Sequence, residues 1–260
     1  MNESPAKYFK RYRESLGFTS QNDAKVFLSG KDVPVGVDYE YIDRLNERLK
    51  EISSKVSAIK STDININNID SFVNEHIQCP YETMKSSGLL PRLNNQGRRP
   101  EQVLFSWLRG YVIAEIFTPS IAKIFDVSIT SINQIGDDDL RNIDTFRRSP
   151  KADLEIIKDN QRIRIEVQSG FQGINDIKEH KVREARKVFE EIGEHSICIH
   201  IDLFNGQVAF VKLDAIEDND VNFVTRQQME GQSVFSIDQN FFKWRLLDPA
   251  PSFDDLELDI

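Results

Sequence analysis

Apolar residues at Tyr41, Ile42, Leu45, Leu49, Ile52, Val56 and Ile59 recur in steps of three and four, which predicts one amphipathic helix over 38–60. Residues 6–16 (AKYFKRYRESL) predict a short basic helix stopped by Gly17, and 69–76 a second short one. Residues 79–100 are rich in Pro, Gly, Asn and Ser and predict a connector. Pro100 and Glu101 then open a long helix, EQVLFSWLRGYVIAEIF, with a break near Pro119 and a resumption as SIAKIF. Large apolar groups lie on nearly every face of it, so it belongs at the centre of the fold.

The period then changes. Residues 126–135 alternate like a strand, followed by a turn over GDDDLRN. ADLEII (152–157) and RIRIEVQ (162–168) alternate across KDNQ and predict a hairpin. Residues 174–192 predict an amphipathic helix stopped by Gly193. SICIHIDL (196–203) and VAFVKL (208–213), joined by FNGQ, predict another strand pair, and the aromatics of FFKWRLL (241–247) are read as core. This order predicts an α/β (α+β) fold with a central mixed sheet flanked by helices. Three regions are expected: a helical N-terminal part over 1–95, a core over 96–250 and a solvated acidic tail over 251–260.

The chain has 260 residues, 39% of them hydrophobic, enough for a packed core. No apolar run approaches the roughly 20 residues of a membrane span, and the N-terminus lacks the apolar stretch of a secretory signal. Two cysteines, Cys79 and Cys198, exclude a disulfide framework and fit a cytoplasmic location. His76 and Cys79 have metal-like spacing but no second pair, and His200 is read as structural. The net charge of −9 argues against a nucleic-acid partner only until its distribution is considered. Residues 211–260 carry 4 basic and 11 acidic residues, whereas residues 1–210 carry 29 basic and 31 acidic and are close to neutral.

Alternation along 162–168 puts Ile163, Ile165 and Val167 on one face and Arg164, Glu166 and Gln168 on the other. Pairing through KDNQ brings Asp153 beside Glu166 at neighbouring strand ends. Two adjacent carboxylates repel unless a cation lies between them. Mg²⁺ suits such a pair, with the Val167 carbonyl, a substrate phosphate and waters completing its shell. An Asp at the end of one strand with Glu166-Val167-Gln168 on the next resembles the PD-(D/E)xK nuclease superfamily, and within it the type II restriction endonucleases, over roughly residues 100–213. Ala152 stands where that family often has Pro, and Gln168 where it usually has Lys.

The resemblance implies an αβββαβ core and Mg²⁺-dependent, sequence-specific cleavage of double-stranded DNA by a homodimer, leaving 5′-phosphate and 3′-hydroxyl ends. It assigns metal binding to Asp153, Glu166 and Val167, and orientation of water or phosphate to Gln168. Lys178 or Lys181 on the next helix is a source of the missing positive charge. Glu101 is preferred over Glu115 as an auxiliary carboxylate. Arg98, Arg99, Gln172 and Arg226, with Gln227 and Gln228, are candidate DNA contacts by residue type. Alternatives are a structure-specific repair or junction nuclease, a non-catalytic DNA-binding protein on a degenerate nuclease fold, and a protein-interaction module.

Overall fold

The computed structural model describes residues 4–30, 32–33, 35–59, 64, 66–93, 98–136, 152–226 and 231–260. Seven α-helices are described: α1 (Pro5–Ser15), α2 (Gln21–Leu28), α3 (Tyr39–Ser57), α4 (Ile69–Val73), α5 (Cys79–Ser86), α6 (Pro100–Ile124) and α7 (Glu179–Ile192). Nine strands accompany them: β1 (Asn133–Gln134), β2 (Leu154–Lys158), β3 (Gln161–Gly170), β4 (Asp176–Lys178), β5 (His195–Asp202), β6 (Gln207–Lys212), β7 (Phe223–Arg226), β8 (Gln232–Ser236) and β9 (Phe242–Arg245). The fold is mixed α+β, built on a six-stranded sheet of order β1-β2-β3-β5-β6-β9.

The hairpin β2–β3 turns on Asp159 and Asn160, whose φ values of 49° and 63° are those of a two-residue turn matched to strand twist. It pairs Leu154 with Ile165 and Glu155 with Arg164. The crossover from β3 through α7 returns to β5, which lies parallel to β3 with Glu166 opposite Cys198 and Gln168 opposite His200. Both faces of β5 are covered. Ile197, Ile199 and Ile201 join the core under α6, together with Ile163 and Ile165 of β3. Cys198 joins a second core formed with Val182 and Ala185 of α7 and with Phe235 of β8. Helix α3 and the segment from α4 to α5 share the first core through Ile42, Leu49 and Ile77, whereas α1 buries no residue.

Several elements differ from the sequence expectation. Residues 79–86 form α5 instead of connector, and a 3-10 turn follows at Leu90–Leu93. Pro80 cannot donate to the carbonyl of His76, and the chain passes from α4 to α5 through a wide π turn at Asn74–Gln78. α6 continues through Pro119 without a break. Residues 126–135 yield only the two-residue β1 and a 3-10 turn. Ser131 Oγ donates to the Ser128 carbonyl at 2.7 Å, a local bond that competes with a ladder. The segment 174–192 is strand β4 before it is α7, because Asp176–Lys178 pairs with β8 in a three-stranded sheet of order β4-β8-β7. The final ten residues are not a solvated tail. Leu256 is buried in the main core, and Lys243 pairs with Glu257. The turn expected over GDDDLRN lies almost wholly outside the described residues.

Candidate active site

Asp153 immediately precedes β2, whose last pair with β3 is Leu154 with Ile165. Its N–H donates to the Ile165 carbonyl at 3.0 Å, and its Oδ2 accepts the Val167 N–H at 2.8 Å. In an extended strand the N–H and C=O of one residue lie on the same edge. The Val167 carbonyl therefore lies on the Asp153 side, past the last β2–β3 pair at Leu154 and Ile165. The Asp153 carbonyl accepts from the N–H groups of Ile135 (3.0 Å) and Gly136 (3.2 Å), which tie it to the segment after β1. Gly136 fits there for lack of a side chain, since a Cβ would lie 3.2 Å from the Asp153 Cα.

Glu166 points to the α7 face. Its Oε2 accepts from Lys181 Nζ at 2.8 Å, and both side chains are largely buried. Burial acts to lower the Lys181 pKa. The charge and hydrogen bond of Glu166 and the charge of Asp153 outweigh it, so the pKa is raised and the ammonium stays charged. Lys181 therefore feels both carboxylates. Lys178 ends β4 with its side chain exposed.

Gln168 is held inside the fold. Its Nε2 donates to the Asp176 carbonyl at 2.8 Å, and its Oε1 faces Cys198 Sγ at 3.8 Å. The amide thus fastens β3 to β4. Cys198 is fully buried, and burial, followed by the nearby carboxylates, pushes its thiol well above the usual range.

On the α6 side, Asp153, Leu154 and Val167 line a cleft of about 170 Å³ with Ser106, Gly110 and Glu115. Gln134 Nε2 donates to Glu115 Oε1 at 3.0 Å. Burial, then the charge of Glu75, raises the Glu115 pKa against that hydrogen bond. Glu115, weighed second in the sequence, is thus the α6 carboxyl that lines the cleft with Asp153. Glu101 is not brought there. It is 0% exposed, and its Oε1 accepts the Asp38 N–H at 2.6 Å. It also accepts from Arg99 at 3.0 and 3.1 Å. Fourteen residues separate it from Glu115, roughly 21 Å along the helix. Glu101 is a buried tie between α6 and the start of α3.

The DNA-contact candidates divide. Arg99 is taken up by Glu101. Arg98 folds back along α6, its Nη2 donating to Ser106 Oγ at 2.5 Å. Gln172 is exposed in the turn after β3. Arg226 makes a two-pronged pair with Asp176, Nε to Oδ2 at 2.8 Å and Nη2 to Oδ1 at 3.0 Å, which clamps β7 to β4. This guanidinium ties two strands of the small sheet. Gln227 and Gln228 lie outside the described residues. Sequence reasoning missed Arg109. The signal was a cation in the middle of a helix apolar on almost every face.

Asp153, Glu166 and the Val167 carbonyl offer the oxygen donors that Mg²⁺ takes, a hard cation that binds one or two carboxylates and fills its shell with water and phosphate. Among the described residues no group of three or more His, Cys, Asp and Glu side chains converges as a metal site. The proposed set has two side chains and one carbonyl. No family model matches the chain, and no curated protein matches it. Among the described residues no helix is long and apolar enough to cross a membrane.

Proposed function

We propose that this chain is a Mg²⁺-dependent endonuclease that cuts double-stranded DNA, of the type II restriction kind. The observation that supports the reading is the Asp153 carboxylate held on the Val167 N–H, one residue from Glu166, with Lys181 on Glu166. With β4 set aside in the small sheet, the order helix (α6), three antiparallel strands (β1, β2, β3), helix (α7), strand (β5) also supports it.

Asp153, Glu166 and the Val167 carbonyl would hold the ion. When bound, Mg²⁺ neutralises charge on a phosphodiester and lowers the pKa of a coordinated water. The chain's own groups do the rest. The Val167 N–H fixes the Asp153 carboxylate against β3, so two like charges stay close at no further ordering cost. Lys181 supplies the positive charge that Gln168 lacks, and it is aimed at the cluster from α7. Gln168 acts as a positioning residue: it fastens the end of β3 that carries Glu166 to β4. Glu115, with its raised pKa, holds a proton at the cleft wall at higher pH than an ordinary carboxyl. A homodimer presents two such centres related by a two-fold axis, which matches a palindromic duplex.

The test is incubation with phage DNA and Mg²⁺, followed by mapping of fragment ends. Discrete fragments with 5′-phosphates are expected, and Asp153→Asn and Glu166→Gln should each abolish them. A readout without turnover accompanies it: Mg²⁺ raises the melting temperature of the wild type, by an amount equivalent to about 2.7 kcal/mol at a hundredfold excess over Kd, and not that of Glu166→Gln. Unchanged cleavage in both variants overturns the assignment. Random nicking of branched substrates would point to a structure-specific nuclease instead.

A further inference from the structure

Arg109 sits inside α6, half-buried, on the turn between the cleft-lining residues Ser106 and Gly110. Its guanidinium carbon lies 3.6 Å from the centroid of the Phe171 ring and 5.3 Å from that of Phe105. Its Nε is buried with no hydrogen-bond partner. Among the described residues no carboxylate pairs with it, whereas Arg99, Arg164, Arg186 and Arg226 all have one. A second cation is drawn toward it: Arg98 folds back along the same helix, reaching Ser106 Oγ and the Gln102 carbonyl. Burial, then the charge of Arg98, lowers the Arg109 pKa, yet a guanidinium stays protonated throughout the working range.

A half-buried charge with a like charge beside it and no counter-ion among the described residues is costly in a free protein. Aromatic stacking orients the planar guanidinium without using up its outer donors. The place also fits. Val167 lines the cleft with Asp153, and Phe171 follows it four residues on, on the same face of the chain. Arg109 precedes Glu115 by six residues, roughly 9 Å along α6, or two to three nucleotides at about 3.4 Å per nucleotide of one DNA strand.

We propose that Arg109, set on the ring of Phe171 with Arg98 beside it, is a seat for a DNA backbone phosphate that flanks the one being cut. The site takes a phosphodiester oxygen pair, and it acts before chemistry, by fixing the register of the strand across Asp153 and Glu166. It rests on the nuclease reading, and its test does not use cleavage.

Short labelled duplexes of several sequences are titrated in EDTA by fluorescence anisotropy, over a range of salt, with the wild type, Arg109→Gln and Arg109→Lys. A phosphate seat predicts that Arg109→Gln binds every duplex about tenfold more weakly. The slope of log K against log salt should become shallower by about 0.9, the signature of one lost phosphate contact. Arg109→Lys keeps the slope because it keeps the charge. Arg98→Gln, at an exposed position, reads the same change in slope should Arg109→Gln melt early. An unchanged slope in Arg109→Gln and Arg98→Gln overturns the seat while leaving the nuclease reading in place. A loss confined to duplexes rich in one base overturns it in favour of base reading. Failure of the wild type to bind any duplex overturns the nuclease reading, and this inference with it.

Discussion

Lys181 Nζ lies 2.8 Å from Glu166 Oε2, although the two residues stand 15 positions apart on α7 and β3. This contact puts a fixed positive charge where the sequence of β3 has only Gln168. It follows from the crossover. β3 and β5 are parallel neighbours, so α7 lies across the face that carries Glu166 and Cys198, and Lys181 on its first turn overhangs that face.

Lys181→Met keeps the aliphatic stem and removes the charge. Stability should fall by about 1–2 kcal/mol, a figure reduced because the two side chains are 23% and 16% exposed. Cleavage should fall about 100-fold or more if the ammonium stabilises the phosphodiester in its transition state. Single-turnover rates beside thermal melts separate the two effects. A rate within twofold of wild type would reduce Lys181 to a counter-ion for Glu166.

Gln168→Ala should behave differently. It leaves the Asp176 carbonyl without its side-chain donor, which costs about 1–3 kcal/mol. Because the amide is used within the fold, cleavage should drop less than in Lys181→Met. Measured at saturating DNA and Mg²⁺, a larger loss for Gln168→Ala would hand the orienting role back to the glutamine.

Much of this centre could be read from the chain because its parts are local. The Asp159-Asn160 turn and the alternation along 162–168 set the register that pairs Leu154 with Ile165, one residue inside Asp153 and Glu166, and both are properties of about sixteen consecutive residues. Lys181 was one of two candidates, since periodicity alone does not say which lysine of IKEHK overhangs the sheet. That depends on where β4 ends and α7 begins, and pairing with the distant β8 decides it. Glu101 and Glu115 lie on similar faces of one helix, so the pattern could not rank them. The buried hydrogen bond from Asp38, 63 positions away, decided against Glu101. Arg226 looked like a base reader by residue type alone, and only the fold shows Asp176, 50 positions away, in its fork.

The Asp176–Arg226 pair should therefore matter for folding and not for DNA. Arg226→Ala leaves a carboxylate of 4% side-chain exposure without its counter-ion, so stability in denaturant unfolding should fall. The salt slope of duplex binding should stay at the wild-type value, in contrast to Arg109→Gln. A slope reduced by one contact would return Arg226 to the DNA interface.

Stability in mild acid should be governed in part by His200, which is 1% exposed on β5. Asn175 Nδ2 donates to Asp202 Oδ2 at 3.1 Å, which turns Asn175 Oδ1 toward the imidazole. His200 Nε2 must then donate to Oδ1 at 2.8 Å. Its Nδ1 is left deprotonated, buried and without a partner. Burial pushes the pKa down to about 4 against the charges of Asp202 and Asp176, which act to raise it. The unfolded chain takes up this proton near the ordinary value of 6.5 and the folded chain only near 4. Between those values the unfolded state binds more protons, so stability rises with pH. The contribution is complete above 6.5 and is lost as pH falls toward 4, about 2–4 kcal/mol in all. Asp202, whose pKa is lowered from 3.8, titrates below this window. His200→Gln should be less stable than the wild type at pH 7 and should lose stability less steeply between pH 6.5 and 4.5, read from urea unfolding at each pH. Parallel curves for the two proteins would mean that the imidazole is not held neutral by burial.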